Sequence, residues 1–158
     1  DNLHHIAGSR LVAEIHGSRT KLRCIGCESR WPRDDFEIAD YPPRCPECGD
    51  LVKGDSVMFG EPVPRGVLDL CYRETDRCDC MIAAGTSASV YPAANLPNRV
   101  LAQGGGVIEI NPNPTKLSSR ADVTLQGTTG EILPKLVERV KELDRWGHGD
   151  HREVIRCC

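Results

Sequence analysis

Four cysteines in two Cys-x-x-Cys knuckles, Cys24/Cys27 and Cys45/Cys48, and one histidine in Glu14-Ile15-His16-Gly17 have the types and spacing that could do chemistry. Within a knuckle the two-residue gap lets both sulfurs face one ion. Two knuckles together complete the tetrahedral thiolate set that suits zinc. Two disulfides or four buried thiols are the competing use of these residues. A Cys-x-x-Cys disulfide, however, closes a strained short loop and would leave the paired spacing a coincidence. Pro43-Arg44-Cys45-Pro46-Glu47-Cys48-Gly49 reads as the tight turn of a zinc ribbon, with Gly49 free to take the positive φ that follows a knuckle. Four protein ligands leave no open coordination position, so this metal is structural. His16 differs: one histidine beside a glycine is most often a packed or surface side chain, and only context makes it a base.

The elements that must carry these residues follow from the apolar pattern. Cys78 to Ala84 is a short apolar run ending in Gly85-Thr86-Ser87, and a helix-compatible stretch runs from Pro92 to about Gln103. Gly106-Val107-Ile108-Glu109-Ile110 then reads as a second buried strand, ending in Asn111-Pro112. This is a β-α-β unit. Asp122 to Leu125 gives a third strand, and Ile132, Leu133, Leu136, Val137, Val140 and Leu143 recur at helical spacing. A further helix is expected over Val67 to Thr75. The fold expected is α/β: a partial Rossmann-like parallel sheet with helices, plus an inserted zinc-ribbon lobe. In such sheets ligands sit beyond the carboxyl ends of the strands, where Gly85-Thr86-Ser87 and Asn111 fall.

With 158 residues, 39% of them hydrophobic and 27% charged, the chain has room for one moderate core and a metal-stapled lobe. A net charge of −3 gives no footprint for tight nucleic-acid binding, although Arg19, Lys21, Arg23, Arg30 and Arg33 make the zinc region locally basic. The longest apolar stretches fall far short of a bilayer span, so no membrane partner is expected. The nine cysteines are an odd number, and Cys71, Cys78, Cys80, Cys157 and Cys158 remain after the zinc set. That count argues for a reducing, cytoplasmic setting in which those five are core or tail thiols.

In this order, the residues resemble the C-terminal two-thirds of a sirtuin, the NAD-dependent protein lysine deacylase family. The matching pieces are Asp1-Asn2-Leu3-His4, Ala7-Gly8-Ser9, Glu14-Ile15-His16-Gly17, the four cysteines and Phe59-Gly60-Glu61. They continue with Gly85-Thr86-Ser87-x-x-Val90-x-Pro92, Ile110-Asn111 and Gly130-Glu131-Ile132-Leu133-Pro134. The resemblance covers residues 1 to about 143.

That resemblance implies that His16 is the general base. In the family the amide oxygen of an acyl-lysine attacks the anomeric carbon of the nicotinamide ribose, and the histidine then takes a proton from a ribose hydroxyl. An imidazole titrates near neutrality and is competent as a base at cellular pH. The resemblance also implies that NAD is the co-substrate. Gly85, Thr86 and Ser87 would lie against its phosphates and adenine ribose, Asn111 on that ribose, Asn113 and Thr129 at the adenine end, and Asp1 near the nicotinamide ribose. Val57 and Phe59 would contact an acyl-lysine peptide or protein, the peptide adding as a strand. For an apolar pair, core packing is the alternative.

The implied organisation is a catalytic-loop segment at 1–19, a zinc-ribbon module at 20–52, the C-terminal part of the NAD-binding domain at 53–143 and a peripheral tail at 144–158. The family's Gly-Ala-Gly-x-Ser phosphate loop is expected ahead of Asp1, so the sequence reads as truncated at its front and the fragment as inactive by itself. The reaction expected of the whole protein, a monomer, gives nicotinamide, O-acyl-ADP-ribose and free lysine. Two other readings stand beside it: an NAD-dependent protein ADP-ribosyltransferase, and a zinc-ribbon adaptor without catalysis.

Overall fold

The structure, a computed structural model, describes residues 1–146; the expected peripheral tail, Cys157 and Cys158 included, lies largely outside them. The chain divides into two units, Asp1–Cys71 and one beginning at Tyr72.

The first unit is organised by three short antiparallel strands, β1 (Lys21–Cys24), β2 (Arg30–Pro32) and β3 (Val52–Gly54), in the order β2-β1-β3. A single-turn helix, α1 (Leu3–Ile6), precedes them, with the Leu3 N–H donating to Asp1 Oδ1 at 3.1 Å. Strand alternation puts Leu22 and Cys24 on one face of β1, where they pack with Cys45 and Val52 and with the Trp31 and Phe36 rings. Those rings meet tilted at a centroid distance of 5.0 Å. Arg23 points from the other face yet is also buried, because carboxylates cover it. In register, Arg23 pairs with Arg30 on β2 and with Lys53 on β3. Three cations therefore stand side by side on one face.

A helix, α2 (Arg65–Asp76), leads into the second unit, which follows the expected β-α-β pattern. Strands β4 (Cys80–Ala84), β5 (Gly106–Asn111) and β6 (Val123–Gln126) run parallel in the order β4-β5-β6. Helix α3 (Leu96–Ala102) forms the first crossover, and α4 (Thr129–Trp146) follows β6. Met81, Ala83, Val100, Val107 and Leu117 form the core, with the half-buried Cys78 and Leu101 against it. At the start of helix α4 the Glu131 N–H donates to the Thr128 carbonyl, and the two side chains pair with each other, Thr128 Oγ1 donating to Glu131 Oε2 at 2.8 Å. Its acidic first turn also complements the helix dipole.

Cys71 is buried and Cys78 packs at the core edge, as expected of spare thiols, but Cys80 is exposed at the start of β4. The reading of Cys80 as a core thiol is thereby corrected. Alternation puts Cys80 on the face of β4 opposite the buried Met81 and Ala83.

Leu117 reaches the core from the loop between β5 and β6 and is 1% exposed. Leu117→Ala is expected to destabilise the second unit by about 2–5 kcal/mol, the usual sum of lost transfer energy and residual cavity. Denaturant titration followed by circular dichroism measures it.

Candidate functional site

In the first unit the two knuckles converge. The four sulfurs of Cys24, Cys27, Cys45 and Cys48 lie within 4.8 Å of one another, two of the residues buried and two exposed. Gly49 takes φ 80° just beyond the second knuckle, as its position requires. All four cysteines are free, so the disulfide alternative is not what the chain forms. The sulfurs also draw backbone N–H groups: Gly26 and Cys27 donate to Cys24 Sγ at 3.3 and 3.5 Å, and Glu47 to Cys45 Sγ at 3.4 Å. Hydrogen bonding from Ser29 lowers the Cys27 thiol to about 6. Cys48 is pushed up to about 12, since Cys24, desolvation and the other sulfurs outweigh the Asp50 backbone that favours its thiolate. Four thiols this close cannot all shed their protons unless a cation sits among them. The donor set fits a structural zinc and leaves no site for a substrate.

His16 is exposed on the turn preceding β1. Its backbone is fixed against the segment after β3: the Val57 N–H donates to the His16 carbonyl at 3.0 Å, and the Ser18 N–H donates to Asp55 Oδ2 at 3.0 Å. Between them Gly17, at φ +78°, runs so close to Asp55 that a Cβ would stand 2.0 Å from the Asp55 carbonyl oxygen. Only glycine satisfies both the angle and the gap. Glu14 completes the turn, accepting from Lys21 Nζ at 2.7 Å and facing His5 Nε2 at 3.4 Å. Desolvation alone would raise Glu14; Lys21, and then His5, hold it below the ordinary carboxylate value.

Below this turn lies a charge network that the sequence reading missed. Asp55 is fully buried; its Oδ1 faces Arg23 Nε at 3.2 Å and Arg30 Nε at 3.0 Å. Both are charge pairs by distance, without hydrogen-bond alignment. Arg23 Nη2 also donates to Glu61 Oε1 at 2.6 Å, while Glu61 Oε2 accepts from Lys53 Nζ at 3.1 Å and from the Met58 N–H at 2.9 Å. The Met58 N–H, followed by Lys53 and Arg23, holds the Glu61 carboxyl down to about 2. A charged residue between the inward-facing Leu22 and Cys24 was the available signal. With Lys21, Arg23 and Arg30 engaged by carboxylates within the unit, the basic run of the zinc region does not present itself whole to a polyanion.

Val57 is half-buried, but Phe59 is 96% exposed and Met58 beside it is 62% exposed, so core packing does not account for Phe59. Asp1 is exposed at the start of α1.

The second unit gathers the other expected residues at the carboxyl ends of its strands. Thr86 and Ser87 follow β4, Asn111 ends β5 with Asn113 just beyond, and Thr129 opens α4 after β6. Asn111 ties this edge together: its Nδ2 donates to the Thr86 carbonyl at 2.8 Å, its Oδ1 accepts from the Asn113 N–H at 3.2 Å, and its carbonyl accepts from the Gly127 N–H at 3.2 Å. One amide hydrogen and one lone pair of the Asn111 side chain stay free. With the exposed Thr86 and Ser87 hydroxyls, the donor set suits a ribose and its phosphate. Ser87 Oγ is now 2.7 Å from Ser89 Oγ.

Residues 1–92 match the profile of the Sir2 family. The chain is 44% identical over 147 residues to NAD-dependent protein deacylase 1 of Archaeoglobus fulgidus, covering 90% of this chain and 58% of that protein. To the NAD-dependent protein deacylase of Mycobacterium tuberculosis it is 41% identical over 150 residues, covering 90% and 62% respectively. Among solved structures, a Sir2 homologue variant in complex with ADP-ribose aligns at a TM-score of 0.81 and 42% identity, over 94% of this chain and 60% of that one. A Sir2 protein bound to a myristoylated histone peptide aligns at 0.74 and 41%, over 93% and 64%. The chain thus spans 58% and 62% of the two curated relatives. No helix among the described residues is long and apolar enough to cross a membrane.

Cys45→Ser is expected to release the metal and unfold the ribbon, because the binding energy of a structural zinc is largely the folding energy of such a lobe. Metal analysis of the purified protein checks this: about one zinc per wild-type chain and little in the variant. Undiminished zinc in C45S would remove Cys45 from the ligand set.

Proposed function

The chain belongs to the Sir2 family, and from that premise we propose that the protein carrying it is an NAD-dependent protein lysine deacylase. It would give nicotinamide, O-acyl-ADP-ribose and free lysine. The observation that carries the reading is the His16 turn, which exposes an imidazole on a backbone held at both flanks by the segment that bears Val57 and Phe59. A loop histidine with no packing duty and a fixed backbone has the attributes of a base rather than of a core residue.

NAD, when bound, supplies the electrophilic ribose carbon that accepts the acyl-amide oxygen. His16 then takes the proton from a neighbouring ribose hydroxyl. Ser87, Thr86 and the free valences of Asn111 hold the adenine ribose and its phosphate, Gly85 lets that phosphate approach the backbone, and Asn113 and Thr129 line the adenine end. Asp1 serves the nicotinamide ribose. The substrate peptide lies extended along Val57 and Phe59, its main chain giving affinity and the acyl-lysine entering between apolar side chains. An exposed phenylalanine is consistent with such a duty. Zinc on the four cysteines contributes folding energy and no chemistry. The division into residues 1–19, 20–52 and 53–143, a monomeric state, a cytoplasmic setting and the absence of nucleic acid among the partners belong to the same proposal.

The test is release of nicotinamide by the complete protein, with NAD and an acetyl-lysine peptide, together with transfer of the acetyl group to ADP-ribose. ADP-ribose attached to protein would instead indicate the transferase reading, and no NAD consumption would indicate an adaptor. His16→Ala is expected to lower turnover on the order of 10²-fold or more, the usual worth of a general base, with an unchanged thermal midpoint. Wild-type turnover in H16A would show that His16 is not the base.

Residues 1–158 contain no Gly-Ala-Gly-x-Ser phosphate loop. Each lost hydrogen bond to a charged group is worth roughly 1.5–3 kcal/mol, so these residues alone are expected to bind NAD in the millimolar range. Calorimetric titration measures this, and micromolar binding would place most of the affinity within this chain.

A further inference from the structure

The charge network between the zinc ribbon and the His16 turn has no part in the reaction proposed above, yet its geometry is specific. We propose that Arg23 is a positioning residue that sets the His16 turn in register with the Val57–Phe59 segment, acting through Asp55 on one side and Glu61 on the other. The inference rests on the deacylase reading of the site.

Two ends of one guanidinium hold two carboxylates. Nε faces Asp55 Oδ1 at 3.2 Å, and Nη2 donates to Glu61 Oε1 at 2.6 Å. Each carboxylate in turn accepts from one backbone N–H. Asp55 Oδ2 takes that of Ser18, two residues after His16, and Glu61 Oε2 takes that of Met58, between Val57 and Phe59. The Val57 N–H on the His16 carbonyl closes the circuit.

Nε and Nη2 belong to one rigid planar group, so the charge facing Asp55, which is a contact without hydrogen-bond alignment, and the donor to Glu61 keep a fixed separation. An ammonium is a point charge on a flexible stem and cannot fix both at once. With Arg23 about 5% exposed and Asp55 fully buried, salt screens the Asp55 arm little. Arg30 and Lys53 each engage one of the two carboxylates and neither engages both. Among the described residues, Arg23 is therefore the one cation that engages both carboxylates.

The experiment compares D55N, E61Q and R23K in the complete, zinc-loaded protein, with kinetics expressed per mole of bound zinc. Asp55→Asn is expected to lower kcat about 10-fold to 100-fold, the scale of a small misplacement of a catalytic group, with the KM for an acetyl-lysine peptide held within about 2-fold. Glu61→Gln is expected to do the reverse, raising the peptide KM about 10-fold with kcat kept within about 2-fold. Arg23→Lys moves both. Amide hydrogen exchange reads the same pattern without turnover: protection falls at Ser18 in D55N, at Met58 in E61Q and at both in R23K.

A merely structural role would lower the thermal midpoint and the zinc content without separating kcat from KM, and that result overturns the proposal. So does loss of Ser18 and Met58 protection together in every variant. If R23K does not fold, the opposite signatures of D55N and E61Q still decide. If the wild type does not deacylate, the functional reading fails, and the exchange pattern alone determines whether Arg23 couples the two segments.

Discussion

Like charges placed directly opposite one another across neighbouring strands repel, and the first unit sets three in a row: Arg30, Arg23 and Lys53 on β2, β1 and β3. Asp55 and Glu61 are brought against that row and offset its repulsion. A buried ion pair adds little net stability over an apolar filling, but breaking one by removing a single partner typically costs about 3–5 kcal/mol, because the other charge is left stranded. The arrangement is thus all-or-nothing. Strand β1 carries the consequence on both faces: Cys24 and Leu22 look toward the thiolate site and its small core, while Arg23 looks toward the carboxylates. Two minimal cores, one of sulfur and apolar side chains and one of charge, share a strand of four residues.

The second unit is stabilised by ordinary apolar packing, and the one fully buried carboxylate among its described residues is handled differently. Glu109 on β5 has no cationic partner among its hydrogen bonds; Ser118 Oγ donates to Oε2 at 2.6 Å, and Thr115 Oγ1 donates to Oε1. Those hydroxyls anchor the loop that sends Leu117 into the core. Asp122 plays a comparable part at the far end of the same loop, accepting from the Val107 N–H at 2.8 Å. Neutral donors at a buried acid fix a loop conformation without requiring a second charge in the interior.

Elements built from local apolar periodicity were legible in the sequence: β4, β5, β6 and α4 lie within a few residues of where alternation and helical spacing put them. So was the metal cluster, since its spacing is its mechanism. The ribbon strands were not, because segments of three or four residues with one or two cationic members carry no period. Nor was the Arg23, Asp55 and Glu61 network, whose members stand on opposite sides of the two knuckles in the sequence. Phe59 marks another boundary, since sequence alone left packing and contact as equal uses of an apolar side chain, and exposure separates them. The family resemblance pointed to positions such as Asn111 without showing how that side chain is held.

The amide of Asn111 is already committed on one edge, to the Thr86 carbonyl and to the Asn113 N–H, before anything binds. A side chain free to rotate would lose roughly 0.5–1.5 kcal/mol of rotameric freedom when a ligand immobilised it. Asn111 has lost that freedom on folding, so the ribose hydroxyl proposed to bind at the end of β5 would meet a donor whose direction was chosen in advance. Part of the entropic cost of such recognition would thereby be moved from the encounter to the birth of the protein.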